Sequence, residues 1–256
     1  MRMLAGLGLL CVALMETHGA RAQANPARSI PNGRPVKIVL VGDSTVATEG
    51  GWGPGFCAVM TPNVTCVDDA LNGRTTKSFI NEGAWQKALD KHGDYYLIQF
   101  GHNDQKPAAN LPVPVFETYL QRYIDDVRAI GAVPVLVTSL SRRTFRNGKV
   151  YEDLTEYVNA TREVGVKNKI TVIELNALST ALLNKMTQAE ADKFDRGSPD
   201  PTATGVDAVQ QGALDRTHLN PYGQKVFGRI VADQIVRTQV ELGPDVVGEP
   251  VKAATN

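Results

Sequence analysis

Three residue types that together can perform acyl transfer stand far apart in this chain of 256 residues. Ser44 follows an apolar run near the start, and Asp215 and His218 lie three positions apart near the end. A serine hydroxyl is a weak nucleophile until a base takes its proton, and an imidazole oriented by a carboxylate is such a base. We therefore predict that Ser44 is a nucleophile, that His218 is its general base, and that Asp215 orients the imidazole.

Acyl transfer also needs hydrogen-bond donors aimed at the oxygen on which negative charge develops. We assign this oxyanion hole to the backbone N–H of Ser44, the backbone N–H of Gly73 and the side-chain amide of Asn103. Glycine suits a backbone donor that must come close to a substrate. For Gly73 and Asn103 the alternative is a simple turn residue after a strand.

Apolar, β-rich runs alternate with helical patterns from residue 35 onward. The predicted strands are Val36–Val41, Val64–Leu71, Tyr95–Phe100, Val133–Thr138 and Ile170–Leu175. The predicted helices are Ala84–Lys91, Val115–Ile130, Leu154–Val166, Asn176–Met186 and Pro221–Val240. Such alternation is typical of right-handed βαβ units, and it predicts an α/β domain with a parallel sheet covered on both faces.

The candidate residues cluster where a parallel sheet binds ligands, beyond the carboxyl ends of its strands. Ser44, Gly73 and Asn103 each follow a predicted strand. Asp215 and His218 are expected on one loop before the last helix, which the N-cap and first-turn pair Asn220-Pro221 would begin. The segment from residue 187 to 213 is expected to be a long surface loop.

Four motifs in this order resemble those of the SGNH (GDSL) hydrolase family. They are Gly42-Asp43-Ser44, Gly73, Gly101-His102-Asn103-Asp104 and Asp215-Arg216-Thr217-His218. The resemblance covers residues 36–242, and within the family it is greatest to rhamnogalacturonan acetylesterases. It implies a three-layer αβα, flavodoxin-like fold, no metal or organic cofactor, and removal of acetyl groups from a pectic polysaccharide.

Four further residues are candidates for contact with a polysaccharide substrate. Arg142 and Arg143 follow the fourth predicted strand, where guanidinium groups could pair with uronate carboxylates, the alternative being a solvated basic loop. Trp52 could stack on a sugar or pack in the core. His102 could shape the pocket or have a structural role.

Other functions remain open at this point. An SGNH esterase could act on acetylated xylan, or on lipid esters if an apolar groove or lid were present. A metal-dependent phosphoesterase needs several His and Asp ligands around its metals. The chain has only three histidines after residue 24, namely His92, His102 and His218. A non-catalytic polysaccharide-binding protein would keep Ser44 out of reach of His218.

Charge and hydropathy exclude two kinds of partner. The 27 basic and 27 acidic residues give a formal net charge of zero, which argues against a general nucleic-acid binder. No apolar run reaches the roughly 18–20 residues that span a bilayer, so we expect no membrane anchor. We expect a monomer.

The first 24 residues have the pattern of a secretory signal peptide. Arg2 precedes an apolar stretch, Leu4–Met15, and Ala22-Gln23-Ala24 supplies a small-x-small cleavage site. We therefore expect a secreted or periplasmic protein, with residues 25–35 as a lead-in and residues 243–256 as a loose tail. Export would permit a disulfide between Cys57 and Cys66, the alternative being two buried thiols.

Overall fold

The computed structural model describes residues 34–197 and 214–248. The expected signal peptide, nearly all of the lead-in, the end of the tail and the second part of the 187–213 loop lie outside the described residues. In chain order the elements are β1 (Val36–Gly42), α1 (Gly53–Cys57), β2 (Val64–Asp68), α2 (Thr76–Asn81), α3 (Ala84–Leu89), β3 (Tyr95–Gln99), α4 (Val113–Ala129), β4 (Val133–Val137), β5 (Phe145–Arg146), β6 (Lys149–Val150), α5 (Thr155–Asn168), β7 (Val172–Ile173), α6 (Leu175–Leu183), α7 (Gln188–Ala191), β8 (Asp195–Arg196), β9 (Asp215–Leu219) and α8 (Pro221–Thr238). Short 3-10 helices lie at Pro107–Ala109, Asp192–Phe194 and Val240–Asp245.

Five parallel strands form the central sheet in the order β2-β1-β3-β4-β7. The chain runs outward from β1 to β2 and then returns to place β3 on the other side of β1. This reversal is the switch point at which flavodoxin-like sheets open a crevice for ligands. The ends of β1 and β3, which carry Ser44 and Asn103, are therefore neighbours.

Helices cover both faces of the sheet, as the sequence predicts. In β1, Leu40 packs into the core under α1, α6 and α8 with Phe56 and Phe227. The adjacent residue Val39 points to the other face of the sheet and packs with Tyr123 in a second core under α2 to α5. Because successive side chains of a strand point to opposite faces, this division into two cores confirms the three-layer αβα architecture.

Four strands are shorter than predicted: β3 and β4 by one residue each, and β2 and β7 by more. β2 ends at Asp68, whose carboxylate accepts a hydrogen bond from the N–H of Ala70. The chain then still touches β1 through the N–H of Leu71, which donates to the carbonyl of Gly42. β7 is limited to Val172–Ile173 because Leu175 already begins α6.

Two short helices, α2 and α7, were not predicted, and each is marked in the sequence only by the hydrogen-bonding residues at its start. α2 begins with a capping box in which Thr75 and Ser78 exchange side-chain and backbone hydrogen bonds. α7 begins with the same device between Thr187 and Glu190, inside the segment expected to be loop. A Ser or Thr followed three residues later by a partner for its backbone N–H is a helix-start signal, so both could have been found.

Cys57 and Cys66 form a disulfide, one of the two alternatives that the sequence left open. Cys57 at the end of α1 is joined to Cys66 in β2, with a Cα–Cα distance of 5.5 Å. The bridge ties the outermost strand of the sheet to the helix that follows the Ser44 turn. Closing this short loop constrains the unfolded chain and so favours the folded state.

Candidate active site

The turn that carries Ser44 is built on a buried carboxylate. Oδ1 of Asp43 accepts hydrogen bonds from the N–H of Thr45 at 2.9 Å and from its hydroxyl at 2.7 Å. The carbonyl of Asp43 accepts from the N–H groups of Val46 and Ala47. Asp43 is fully buried, whereas Ser44 between these bonded residues is partly exposed. The hydrogen bonds of Asp43 thus fix the turn, and the Ser44 hydroxyl is held at the surface above it.

Ser44, His218 and Asp215 form one hydrogen-bonded line, as the sequence predicts. The Nε2 atom of His218 lies 2.7 Å from Ser44 Oγ, and its Nδ1 atom lies 2.6 Å from Asp215 Oδ2. A non-catalytic binding protein was expected to keep these groups apart, and the structure brings them together. A hydroxyl, an imidazole and a carboxylate in this order can transfer a proton from the serine as it attacks a carbonyl.

The charge state of Asp215 fixes the tautomer of His218. Partial burial acts to raise the pKa of the Asp215 carboxyl, but hydrogen bonds from the His218 ring and from the N–H groups of Thr217 and His218 together lower it. An ionised carboxylate only accepts hydrogen bonds, so Nδ1 of His218 carries the proton. Nε2 is then free to accept the proton of Ser44.

Asp215 and His218 lie on a strand and not on the loop that we predicted. β9 pairs antiparallel with β8, with Asp195 opposite Leu219 and Arg196 opposite Asp215. The prediction was wrong because the partner strand β8 is only two residues long and is distant from β9 in the sequence, so no local pattern marks the pairing. α8 begins directly after β9 with Asn220 as its N-cap, as predicted. Both ends of the segment that carries His218 are therefore held.

Arg143 is a core residue, which corrects its prediction as a substrate-binding residue. Its side chain is fully buried and forms an ion pair with the equally buried Asp195 of β8. The same guanidinium donates from Nη2 to the carbonyl of His218 at 2.9 Å. Arg143 therefore holds the backbone of His218 and cannot reach a sugar.

Arg142 is also engaged by the protein. It forms an ion pair with Asp153 and donates from Nε to Thr217 Oγ1 at 3.3 Å. Its side chain is only 19% exposed. The predicted pairing of this guanidinium with a uronate is therefore not supported, because its charge is already neutralised.

Trp52 and His102 are buried below the Ser44 turn, which corrects their prediction as substrate contacts. The indole N–H of Trp52 donates to Gln99 Oε1 at 2.9 Å, and its ring is fully buried. His102 Nδ1 lies 3.4 Å from Thr45 Oγ1. Burial, followed by the charge of Arg142, lowers the pKa of His102 well below its usual value, so this imidazole is neutral. Both residues support the turn instead of contacting sugar.

Two of the predicted oxyanion donors, the backbone N–H groups of Ser44 and Gly73, are not used by the described part of the protein. No acceptor within the described part of the chain bonds the N–H of Ser44 or of Gly73. Gly73 is exposed, has a φ of 76°, and has no atom within 4 Å of the position where a Cβ would stand. A positive φ of this size is strained for other residues. These N–H groups are therefore free for a substrate oxygen.

The side chain of Asn103 is held at both ends. Its Nδ2 atom donates to the carbonyl of Arg74 at 3.0 Å, and its Oδ1 accepts from Lys106 Nζ at 2.6 Å. One of the two Nδ2 hydrogens is thereby used, and the second remains for a substrate. Lys106 was not among the predicted residues, because nothing in its spacing distinguishes it from a surface lysine.

Gly50 is a second residue that the sequence analysis missed. A Cβ at this position would lie 3.0 Å from the Cβ of His218, and the carbonyl of Gly50 accepts from the N–H of Leu219 at 2.8 Å. The close approach of this backbone to His218 favours glycine. The Gly50-Gly51 pair after the serine was the available signal.

Residues 34–197 and 214–248 contain no group of three or more His, Cys, Asp or Glu side chains arranged to hold a metal ion. None of the helices in these ranges is long and apolar enough to cross a membrane.

Comparison with known proteins gives consistent matches. Residues 40–226 match the model of the GDSL-like lipase/acylhydrolase family. The chain is 33% identical to rhamnogalacturonan acetylesterase RhgT of Bacillus subtilis over 231 residues, which are 86% of this chain and 97% of that protein. It is 27% identical to the probable rhamnogalacturonan acetylesterase YesY of the same organism, over 83% of this chain and 98% of YesY.

Solved structures share the fold at lower identity. The crystal structure of the Bacillus subtilis protein YxiM aligns with a TM-score of 0.69 and 22% identity, covering 80% of this chain and 57% of that chain. The acetylxylan esterase Axe2 of Geobacillus stearothermophilus aligns with a TM-score of 0.58 and 15% identity, covering 88% of this chain and all of that one. These alignments confirm the α/β fold with its central parallel sheet.

The Arg143–Asp195 pair leads to a first prediction. In Arg143→Met the Asp195 carboxylate stays buried without its partner, and we expect the free energy of unfolding to fall by about 3–5 kcal/mol. Arg143→Met combined with Asp195→Asn should recover part of this loss. The control is Arg162→Met, which removes a partly exposed ion pair with Glu174 and should cost at most about 1 kcal/mol. The measurement is urea unfolding of wild type and the three variants. Equal losses of stability in Arg143→Met and Arg162→Met would contradict the prediction.

Asp43 leads to a second prediction, on stability against pH. Burial raises the pKa of its carboxyl to about 6, so the folded state binds a proton that the unfolded state releases near pH 4. The contribution of this group to the free energy of unfolding is present below about pH 4 and is lost as the pH rises through about 6. The loss amounts to up to about 3 kcal/mol.

Asp43→Asn keeps the Oδ1 acceptor for Thr45 but does not titrate. Relative to wild type, the variant should therefore gain stability between pH 4 and pH 7, as measured by urea unfolding at both values. Asp90→Asn, the same substitution on the surface, serves as the control. A stability difference between Asp43→Asn and wild type that stays constant with pH would contradict this assignment.

Proposed function

The chain belongs to the GDSL-like lipase/acylhydrolase family, and on that premise we propose that it removes acetyl groups from a plant cell-wall polysaccharide with Ser44 as its nucleophile. The chain is a carboxylic ester hydrolase of the acetylesterase type. The proposal adds the catalytic residues, the polysaccharide and the cellular location. One observation carries it, the hydrogen-bonded line from Asp215 through His218 to Ser44.

In the proposed first step, Ser44 Oγ attacks the carbonyl carbon of the acetyl ester while Nε2 of His218 takes the hydroxyl proton. The carbonyl oxygen becomes negative and accepts hydrogen bonds from the N–H groups of Ser44 and Gly73 and from Nδ2 of Asn103. The Asp215 carboxylate stabilises the imidazolium that forms. The acyl C–O bond to the sugar then breaks, and His218 gives its proton to the departing sugar oxygen.

The second step regenerates the enzyme. A water molecule attacks the acetyl-Ser44 ester while Nε2 of His218 takes one of its protons. The same donors hold the second oxyanion, the bond to Ser44 Oγ breaks, and the imidazolium returns its proton to that oxygen. Acetic acid leaves as acetate and a proton, so a single imidazole serves as base and acid in turn.

We propose acetylated rhamnogalacturonan as the polysaccharide. The support is sequence similarity to RhgT and YesY over nearly their whole lengths, since the first is named a rhamnogalacturonan acetylesterase and the second a probable one. The likeness to the acetylxylan esterase Axe2 is one of fold alone at 15% identity. It therefore does not favour xylan.

We further propose that the protein works outside the cytoplasm. The support is the signal-peptide pattern of residues 1–24 together with the Cys57–Cys66 disulfide, because disulfides persist in oxidising compartments. A polymeric substrate is also met outside the cell.

The nucleophile is tested by Ser44→Ala. We expect the rate of acetate release to fall by roughly 10⁴-fold or more, because Ser44 Oγ is the hydroxyl hydrogen-bonded to His218 Nε2 among residues 34–197 and 214–248. The unfolding curve should stay close to that of wild type. Thr48→Ala removes an exposed hydroxyl four residues further on and should keep full activity. Retention of activity in Ser44→Ala would refute the mechanism.

The oxyanion hole is tested by Asn103→Ala. Its amide would bond the oxygen more strongly in the transition state than in the substrate, so we expect kcat to fall about 100- to 1000-fold with little change in KM. Asn72→Ala is the control, because the Asn72 amide is bonded to Glu49 on the surface. If both variants kept wild-type kcat, the role of Asn103 would have to be abandoned.

A further inference from the structure

A pocket opens directly beside Gly73, one of the proposed oxyanion donors. It has a volume of about 540 Å³ and is lined by residues of the Gly73 turn, by α2, and by Ala109 of the 3-10 helix Pro107–Ala109. Sites for small molecules are commonly about 300–1,000 Å³. Gly73 belongs both to this pocket and to the proposed oxyanion hole, so the pocket is a candidate place for a sugar of the bound substrate.

The pocket wall carries one positive charge that the protein does not neutralise. Arg74 and Glu82 form an ion pair, with Nε and Nη2 each 2.8 Å from Oε2. Lys77, on the exposed side of α2, has no acceptor among the residues that the structure describes. The nearby Lys106 is bonded to Asn103. The ammonium of Lys77 is therefore the charge left for a ligand.

The remaining lining is polar and suits a carbohydrate. The side-chain amide of Asn81 lines the pocket and has no hydrogen-bond partner in the described ranges. It can donate to and accept from sugar hydroxyls. The arginines from which the sequence predicted carboxylate recognition, Arg142 and Arg143, are paired with Asp153 and Asp195.

We infer that this pocket is a subsite for an acidic sugar, in which Lys77 Nζ pairs with a uronate carboxylate of the bound polymer. The inference rests on the proposed function and adds to it the residue that selects a charged polymer over a neutral one. An ammonium on a flexible stem can follow carboxylates in several positions. The pairing is exposed and is therefore weakened by salt.

The test compares wild type with Lys77→Gln, Lys77→Glu and Lys77→Arg. Acetate release from acetylated rhamnogalacturonan is measured at low and high salt, and hydrolysis of 4-nitrophenyl acetate reports the catalytic machinery alone. We expect Lys77→Gln to raise KM for the polymer about two- to fivefold at low salt, with kcat unchanged. Lys77→Glu should raise KM further, Lys77→Arg should keep it, and the aryl ester should be hydrolysed equally by all.

The exposed Lys167 on α5 gives the matched control, and Lys167→Gln should behave as wild type on both substrates. Loss of the difference between wild type and Lys77→Gln at high salt would support a charge interaction. If Lys77→Gln and Lys77→Glu keep the wild-type KM while wild type releases acetate from the polymer, the subsite is refuted and the proposed function stands. If wild type hydrolyses only the aryl ester, the substrate proposal fails and the subsite fails with it.

Discussion

The position of the His218 imidazole depends on the buried ion pair between Arg143 and Asp195. Arg143 comes from the segment after β4 and Asp195 from β8, so the pair joins the central sheet to the small hairpin that carries His218. The same guanidinium donates to the His218 carbonyl. Removing two charges from water is costly, and a buried pair adds little net stability over an apolar contact. Its effect here is to fix a position, because β8 and β9 must lie where Asp195 and the His218 carbonyl both meet the Arg143 guanidinium.

The serine side of the site depends on a second buried polar group. Asp43 lies beneath the turn and accepts a hydrogen bond from the Thr45 hydroxyl. That hydroxyl accepts from the side-chain amide of Gln99 at 2.5 Å, and the amide oxygen of Gln99 accepts from the indole N–H of Trp52. This chain of bonds runs from the nucleophile turn into the core. Oδ2 of Asp43 has no partner among the described residues. The fold therefore keeps a carboxyl group in an environment that favours its neutral form, directly under the proposed nucleophile.

The sequence predicted the sheet and the reacting groups, because both leave local marks. The strands β1 and β3 are continuous apolar runs, and the motifs around Ser44 and His218 follow or precede recognisable elements. Burial of charged side chains could not be predicted, since Arg143 and Arg142 read as a basic loop and arginine is rarely buried without a partner. The partner of Arg143 lies 52 residues further along the chain. The β8–β9 pairing was missed for the same reason, because short strands form through distant contacts and not through their own propensity.

Chemistry and recognition occupy different parts of this architecture. The groups proposed to react stand at the ends of β1 and on β9, where buried hydrogen bonds and an ion pair fix them. An acetyl group is small, so its binding offers little energy with which to distinguish one polymer from another. Selection must therefore come from the sugars on either side, and the pocket beside Gly73 is formed by α2 and a 3-10 helix at the rim. Residues on these exposed elements can change without disturbing the triad, which separates the choice of polysaccharide from the breaking of the ester bond.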